Sequence, residues 1–285
     1  MNNATDHPVS GLCVDALHFG YQLARPVVQG FSASLHAGRL TALIGPNAAG
    51  KTTLLKLMLG QLRPVSGTCT IDGRDVFRMP ASRRAGRISY VPQHSAAAFA
   101  FSVEQIVAMG RFAVGHSPAA VARALEQCNL LHLRHRPFWA LSAGQQQRVM
   151  IARAMAQSDR CEDRCLHCGH PLKGVVFWRC PKCDRPCGRV MLLDEPTSGL
   201  DLHHAHEMMK HLVALARGDL AVLAVLHDLN LAAYAQTLWL MHEGTLVASG
   251  PSQQVLRPEV LEPVYGVKLK SVQVDGDGRE MLWVE

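Results

Sequence analysis

The sequence predicts an α/β fold in which helices cover a largely parallel sheet. Short, continuously apolar segments alternate with stretches of helical periodicity along the 285 residues, and strands buried on both faces are typical of parallel sheets. No apolar run reaches the roughly 18–20 residues needed to cross a bilayer, and residues 1–10 lack the apolar region of a signal peptide. We therefore expect a cytosolic protein that reaches a membrane only through a partner.

The core elements are expected in a fixed order along the chain. The predicted strands are Leu40–Ile44, Ile88–Val91, Val190–Leu193 and Leu220–Leu226. Helical periodicity is found over Lys51–Leu59 and His203–Ala216. Residues 102–156 also show helical periodicity, and no strand is predicted there. This last block predicts a helical subdomain, about residues 102–157, placed between two core strands.

An uninterrupted GxxxxGK[ST] motif spans residues 45–52, where a predicted strand ends and a helix begins. Its glycines let backbone N–H groups turn around a phosphate, and the helix N-terminus adds the positive end of its dipole. Lys51 is expected to neutralise phosphate oxygens, and Thr52 to offer a hydroxyl to Mg²⁺. The motif predicts a P-loop NTPase. Its candidate nucleotide-binding residues are Gly45, Pro46, Asn47, Ala48, Ala49, Gly50, Lys51, Thr52 and Thr53.

Two acids, Asp194 and Glu195, follow the apolar strand Val190–Leu193. Because successive strand residues point to opposite sides, we expect the two carboxylates to do different jobs. One would hold Mg²⁺, directly or through water, and the other would orient or deprotonate the attacking water. Such a pair is weak evidence alone, but downstream of a phosphate loop it is the expected second half of an NTPase site.

The segment Leu141–Gln145, followed by Gln146-Gln147-Arg148-Val149, closely resembles the signature motif of ABC ATPases. Other landmarks of that family occur in its order: Tyr21, Gln93, Ser198–Asp201 and His227. The resemblance covers roughly residues 11–265, interrupted only by a cysteine-rich insert. It implies an ABC nucleotide-binding domain over residues 9–265, followed by a C-terminal extension over residues 266–285.

This resemblance implies that two such domains pair head to tail as a homodimer and bury two ATP molecules. Ser142, Gly144 and Gln145 of one chain would then face the γ-phosphate that Lys51 of the other chain holds. Asp201 would also belong to the nucleotide site.

The resemblance further assigns roles within one chain. Glu195 would be the catalytic base, and His227 and Gln93 would contact the γ-phosphate or its water. Tyr21 would stack on adenine. Mg²⁺ would be held by Thr52, Gln93 and Asp194.

Two positions depart from the family pattern, since Ala48 and Ala143 stand where glycine is usual. Alanine does not easily adopt φ > 0, so nucleotide binding would suffer if either position needed a left-handed conformation. We expect both alanines to be tolerated, because Gly45, Gly50 and Gly144 are retained.

The segments Phe101–Arg111 and Val255–Val267 resemble the ATPases of iron-siderophore, haem and cobalamin importers. This resemblance implies integral-membrane permease subunits and an extracytoplasmic substrate-binding protein as partners. It would place the chain at the cytoplasmic face of the inner or plasma membrane, held peripherally by the permease.

Residues 159–189 form the cysteine-rich insert, which contains six of the nine cysteines. Two CxxC pairs separated by 11 residues have the spacing of a zinc ribbon, in which four thiolates hold one tetrahedral ion. The candidate zinc ligands are Cys165, Cys168, Cys180 and Cys183. Redox-active thiols or an iron–sulfur cluster are the alternatives to zinc. Cys161 and Cys187 extend the pattern symmetrically, each with three residues between it and the nearer CxxC pair.

The net charge of +6 leaves a second class of function open. Between residues 160 and 189 there are seven Lys/Arg against three acids, so most of the excess charge lies in the insert. A nucleic-acid-linked ABC ATPase with a zinc module would fit this basic insert. A regulatory ABC ATPase is a third hypothesis. The importer-like segments and the single nucleotide-binding unit disfavour nucleic acid.

Overall fold

The computed structural model describes residues 11–22, 25–93, 100–159, 170, 182, 188–216, 220–273 and 280–284. Within these residues it contains twelve strands and nine α-helices. The strands are β1 (Leu12–Phe19), β2 (Val28–Ser34), β3 (Leu40–Ile44), β4 (Ser66–Ile71), β5 (Arg74–Asp75), β6 (Ile88–Val91), β7 (Arg189–Asp194), β8 (Leu220–Val225), β9 (Thr237–His242), β10 (Thr245–Pro251), β11 (Leu269–Gln273) and β12 (Glu280–Val284). The helices are α1 (Lys51–Met58), α2 (Ala81–Ala85), α3 (Val103–Met109), α4 (Pro118–Gln127), α5 (Ala143–Ser158), α6 (Leu202–Leu215), α7 (Leu229–Ala232), α8 (Ser252–Val255) and α9 (Pro258–Tyr265).

A six-stranded sheet forms the centre of the fold, in the order β10-β9-β3-β8-β7-β6. The five strands from β9 to β6 run parallel, and β10 pairs with β9 in the antiparallel sense. β3 and β8 are buried along their whole length, as their continuous apolar sequences predict. The predicted largely parallel sheet is confirmed, with strand limits that differ by at most one residue at an end.

A second, antiparallel sheet has the order β2-β1-β4-β5 and was not predicted. Its buried face contributes Leu12, Val14 and Phe31 to a core cluster that also contains Leu43 of β3 and Leu54 of α1. Only alternate parts of these strands are buried, and register shifts interrupt β1 on both sides of Leu17. Short alternating segments broken by bulges give a weaker periodic signal than strands buried on both faces.

The region predicted to form a helical subdomain, about residues 102–157, is helical, while its limits as a subdomain stay a prediction. Residues 100–159 are all described, and they contain α3, α4 and α5 without a strand. Val107, Leu125 and Ile151, one from each helix, are buried in the larger core cluster. No helix in the described ranges is both long and apolar enough to span a bilayer.

The six cysteines of the insert lie outside the described residues, so the zinc ligands stay a prediction from the sequence. The structure does describe the residue that leads into the insert, Asp159. Arg123 donates to both carboxylate oxygens of Asp159, at 2.9 and 3.1 Å. Arg111 donates to the carbonyl oxygens of Ala156 and Asp159, at 3.0 and 2.9 Å. Two arginines therefore fix the end of α5 where the insert begins.

The segment that leaves the insert is also fixed by arginines. Arg87 donates to the carbonyl oxygen of Gly188 at 2.9 Å, and Arg189 donates to that of Ser158 at 3.2 Å. β7 begins at Arg189 and ends at Asp194, which places the start of β7, where the insert is attached, roughly 17 Å from the acids at ~3.3 Å per residue. The insert therefore joins the sheet at the edge opposite the end of β7.

Arg87 also forms a buried ion pair that joins the two sheets. Its Nη1 lies 2.7 Å from Oδ2 of Asp72, in the turn after β4, and both side chains are at most 3% exposed. Removing one partner of such a pair leaves an uncompensated charge in the interior, which costs about 3–5 kcal/mol.

We therefore expect Arg87→Ala to lower the free energy of unfolding by about 3–5 kcal/mol in urea denaturation. Arg78→Ala is the matched control, because Arg78 pairs with Asp75 at 3.5 Å while its side chain is 89% exposed. The control should change stability by about 1 kcal/mol or less. Equal effects of the two substitutions would contradict the structural role given to Arg87.

Candidate nucleotide site

The loop between β3 and α1 contains two glycines that no other residue could replace unless the neighbouring backbone moved. Gly45 has φ 149° and Gly50 has φ 101°. A Cβ atom at Gly45 would lie 2.0 Å from the carbonyl oxygen of Met241, and one at Gly50 would lie 2.7 Å from that of Val27. Both glycines are therefore required by their conformation and by the close approach of neighbouring backbone.

Ala48, in the middle of this loop, has φ 63° and is left-handed. The departure from glycine at this position therefore has a cost, of about 1–2 kcal/mol for a residue with a Cβ atom. Ala143 differs, because it is the first residue of α5 and takes a helical conformation. Ala143 is therefore free of backbone strain, whereas Ala48 adopts the left-handed conformation that alanine disfavours. That both alanines are tolerated stays a prediction.

Lys51 begins α1 and is only 6% exposed. Its Nζ donates to the carbonyl oxygens of Gly45 and Pro46, at 2.7 and 2.8 Å. Burial lowers the pKa of Lys51, and the nearby carboxylates of Glu195 and Asp194 oppose that shift. The ammonium group is thus held inside the loop, next to both acids.

Asp194 ends β7 and is buried beside the first turn of α1. Its Oδ1 lies 3.4 Å from Oγ1 of Thr52, and its Oδ2 lies 3.4 Å from the hydroxyl of Tyr90. Burial raises the pKa of Asp194, while the contacts with Thr52, Tyr90 and Lys51 lower it. A hydroxyl and a carboxylate at this spacing are the hard oxygen ligands that Mg²⁺ prefers, so the residues present fit the ion.

Tyr90 was not identified from the sequence. Burial, followed by the charge of Asp194, raises the pKa of the Tyr90 hydroxyl to about 12, so it stays a hydrogen-bond donor at neutral pH. The available signal was the position of Tyr90 in β6, which pairs with β7 and places Tyr90 opposite Leu192, two residues before Asp194.

Glu195 follows Asp194 but does not continue the strand, because its φ is 50°. The two acids therefore diverge through a left-handed residue at the end of β7, and not through strand alternation as expected from the sequence. The Glu195 carboxylate accepts a hydrogen bond from Nε2 of Gln93, and its Oε1 lies 2.5 Å from Nε2 of His227. Three residues that are far apart in the sequence thus meet at one carboxylate.

Lys51, Glu195 and His227 line a common cavity of about 400 Å³. It is lined by residues 47–53 of the loop and by Val27, Glu195 and His227. Tyr21 lies beside it, with its hydroxyl 3.5 Å from Oγ1 of Thr53, and its side chain is 62% exposed. The structure therefore brings the loop residues together with Asp194, Glu195, Gln93, His227 and Tyr21.

The signature residues lie elsewhere in the same chain. Ser142 caps α5 by accepting from the Gln145 amide at 3.3 Å, and Gln145 Oε1 accepts from the Ser142 amide at 3.1 Å. Gly144 lines a different cavity, of about 370 Å³, together with His204 of α6. Asp201 caps α6, and each of its carboxylate oxygens lies 2.8 Å from Nδ1 of His204. Ser142, Gly144, Gln145 and Asp201 do not line the cavity of the phosphate loop.

Comparisons with known proteins show which family this chain resembles. A family model described as ABC transporter matches residues 28–161. The hemin import ATP-binding protein HmuV of Rhodopseudomonas palustris (strain HaA2) is 36% identical over 262 residues, which cover 91% of this chain and 92% of that protein. The HmuV protein of Pseudomonas aeruginosa is 38% identical over 252 residues, covering 86% and 89% of the two chains.

Solved structures give the same result. An ABC transporter assigned to the metal-chelate type, in an inward-facing conformation, has a TM-score of 0.74 and 27% identity, with coverage of 97% of this chain and 96% of that chain. The protein cbiO1 from Clostridium perfringens, part of the ABC transporter complex cbiONQ, has a TM-score of 0.70 and 25% identity, with coverage of 90% and 96%.

The strain at Ala48 leads to a test with a matched neighbour. Ala48→Gly should raise the free energy of unfolding by about 1 kcal/mol, because glycine adopts φ > 0 without a steric cost and Ala48 is exposed. Ala49→Gly should lower it by roughly 0.5–1 kcal/mol, because Ala49 is 4% exposed and has no positive φ. Urea denaturation of both variants checks the opposite signs, and a loss of stability in Ala48→Gly would contradict the strain.

Proposed function

Because this chain belongs to the ATP-binding subunits of ABC transporters, which hydrolyse ATP, we propose that it energises the import of a metal chelate. The observation that carries the hydrolysis of ATP is the meeting of Lys51, Asp194 and the Gln93–Glu195–His227 group at one phosphate loop. The substrate class would be haem, an iron-siderophore or cobalamin.

The proposed hydrolysis uses the chain's own groups in separate roles. Backbone N–H groups of the loop and the Lys51 ammonium hold the phosphates of ATP. Glu195 takes a proton from the water whose oxygen attacks the γ-phosphorus, while the bond to the bridging oxygen breaks and ADP leaves. Gln93 and His227 hold the two carboxylate oxygens of Glu195, which fixes the direction from which the water attacks.

A bound Mg²⁺ would neutralise charge on the phosphates. Thr52 and Asp194 would hold it, as their oxygen atoms lie together at the start of α1, and the Gln93 side chain would complete the set. Tyr21 would stack on adenine from the edge of the cavity, where its ring is largely exposed.

We propose that the site is completed by a second copy of this chain. Ser142, Gly144 and Asp201 lie outside the loop cavity of their own chain, and Ser142 is exposed at the N-terminal end of the 16-residue helix α5. The positive end of a helix dipole suits a phosphate anion. In a head-to-tail homodimer, Ser142, Gly144 and Gln145 would face the γ-phosphate held by Lys51 of the other chain.

The import of a metal chelate is supported by two independent likenesses. The curated relatives that match most of this chain are named as hemin import proteins, and a similar structure belongs to an ABC transporter assigned to the metal-chelate type. Choice of substrate would reside in permease subunits and in an extracytoplasmic substrate-binding protein. The chain would be held by the permease at the cytoplasmic face of the membrane.

The basic insert favours a second candidate, a nucleic-acid-linked or regulatory ABC ATPase. Its seven Lys/Arg and three acids give residues 160–189 a positive charge that could meet a phosphate backbone. ATPase activity that rises with added nucleic acid but not with a reconstituted permease would favour this candidate.

For the insert itself we propose a zinc ribbon that serves as a docking or metal-sensing module. A segment this short buries little apolar surface, so the metal would supply its folding free energy. The arginines that hold Asp159 and Gly188 would transmit its position to α5 and to β7.

Glu195→Gln should reduce the kcat of ATP hydrolysis by about 10²–10⁴, because a neutral amide cannot take the proton of the attacking water. ATP affinity should be retained, because the phosphate contacts lie in the loop. Glu207→Gln is the matched control, since Glu207 is exposed and pairs with Lys210 on α6. Turnover measurements and ATP binding of the purified variants check this, and undiminished turnover in Glu195→Gln would remove Glu195 as the base.

The purified chain should contain about one zinc ion, since four thiolates complete one tetrahedral site. Cys165→Ser and Cys180→Ser should each lower the bound metal, whereas Cys13→Ser in β1 should not. Inductively coupled plasma mass spectrometry of the three variants provides the measurement. An iron content above the zinc content would favour the iron–sulfur alternative.

A further inference from the structure

The C-terminal hairpin of β11 and β12 forms a two-stranded sheet separate from the two larger ones. An isolated hairpin of this size is marginally stable in water, so its position must come from contacts with the rest of the chain. Leu269 and Leu282, one from each strand, are 7% and 8% exposed and belong to the larger core cluster. The backbone N–H of Leu269 donates to Oε1 of Glu262 in α9 at 2.8 Å.

Asn230 makes a second and more specific attachment. Its Oδ1 accepts from the backbone N–H of Leu282 at 2.9 Å, and its Nδ2 donates to the carbonyl oxygen of Leu282 at 3.3 Å. One amide side chain thus pairs with the donor and the acceptor of one residue, as a neighbouring strand would. Asparagine suits this pairing because it carries an acceptor and donors at the end of one short side chain.

Asn230 lies in α7, the four-residue helix that follows His227. Asp228 caps α7 by accepting from the backbone N–H groups of Asn230 and Leu231, at 2.8 and 3.2 Å. A helix this short is not stable by itself, so tertiary contacts determine where it lies. His227 precedes this cap, and its Nε2 lies 2.5 Å from Glu195.

From these contacts we infer that Asn230 is a positioning residue, through which the C-terminal hairpin sets the place of His227 against Glu195. This inference rests on the proposed hydrolysis. It extends that proposal by giving the backbone of Leu282 in β12 a part in placing His227, although no described residue of β11 or β12 lines the nucleotide cavity. Loss of the Asn230 pairing lets the start of α7 shift, which moves the imidazole while the phosphate loop stays in place.

The test is a double-mutant cycle on the full chain, with single-turnover ATP hydrolysis as the readout. Asn230→Ala should lower the rate constant about tenfold, which corresponds to an interaction energy in the range found between residues in contact. The ATP concentration at half-saturation should change less than about twofold. In a His227→Ala background, the same substitution should change the rate less than about twofold, because the group that it positions is gone.

Trp283→Ala is the matched control. Trp283 is next to Leu282 in β12, but its side chain is 59% exposed, so the rate should stay at the wild-type value. Asn230→Asp keeps the acceptor for the Leu282 N–H and loses the donor. If Asn230→Ala unfolds below the assay temperature, Asn230→Asp takes its place in the cycle, with a smaller loss of the rate constant expected.

Equal losses from Asn230→Ala in the two backgrounds would overturn the inference, because a general loss of stability acts regardless of His227. If the wild-type chain hydrolyses ATP and folded Asn230 variants do so at the same rate, the inference is overturned as well, and the proposed function stands. A wild-type chain that binds ATP without hydrolysing it, even with permease supplied, would overturn the proposed function itself.

Discussion

The parallel pairing of β3, β8, β7 and β6 is the constraint on which the rest of the structure depends. Parallel strands end at the same edge of a sheet, so the residues that follow them are gathered there. The phosphate loop follows β3, Gln93 follows β6 and His227 follows β8. Asp194 is the last residue of β7, and Glu195 comes directly after it. The catalytic group is therefore a consequence of strand order and direction, with each strand contributing its next residues.

The same edge is where the backbone departs from ordinary geometry. Gly45, Gly50 and Ala48 in the loop, and Glu195 after β7, all have φ between 50° and 149°. Glycine takes such angles freely, but Ala48 and Glu195 carry a Cβ atom and are strained. Strained residues persist only when the surrounding structure holds them, and they concentrate at functional sites. Here the buried strands and α1 hold the strain, which turns backbone N–H groups and the Glu195 carboxylate toward the cavity.

The opposite edge of the sheet has a different role. The insert departs from the end of α5 and returns at the start of β7, and arginines hold both connections. Because α5 begins at the signature residues and β7 ends at the catalytic acids, a movement of Asp159 or Gly188 would reach both through these two elements. The C-terminal hairpin offers a comparable connection at α7, through one asparagine.

The sequence by itself determined the phosphate loop, the core strands, the helical subdomain and the family. These features are encoded locally: Gly45 and Gly50 are required by the loop's own conformation, and β3 and β8 are apolar at every position except Thr41 because both their faces are covered. The signature segment and the spacing of the cysteines are likewise contiguous patterns. The zinc ligands stand on that spacing alone, as they lie outside the described residues.

Only the tertiary structure decided which distant residues meet. Gln93, Glu195 and His227 converge, Tyr90 reaches Asp194, and Asn230 pairs with Leu282. Each of these contacts joins segments brought together by strand pairing or core packing, and nothing in the local sequence of either partner specifies the other. The left-handed turn at Glu195 has no local sequence signal either, and the antiparallel sheet escaped prediction because bulges interrupt its short alternating strands.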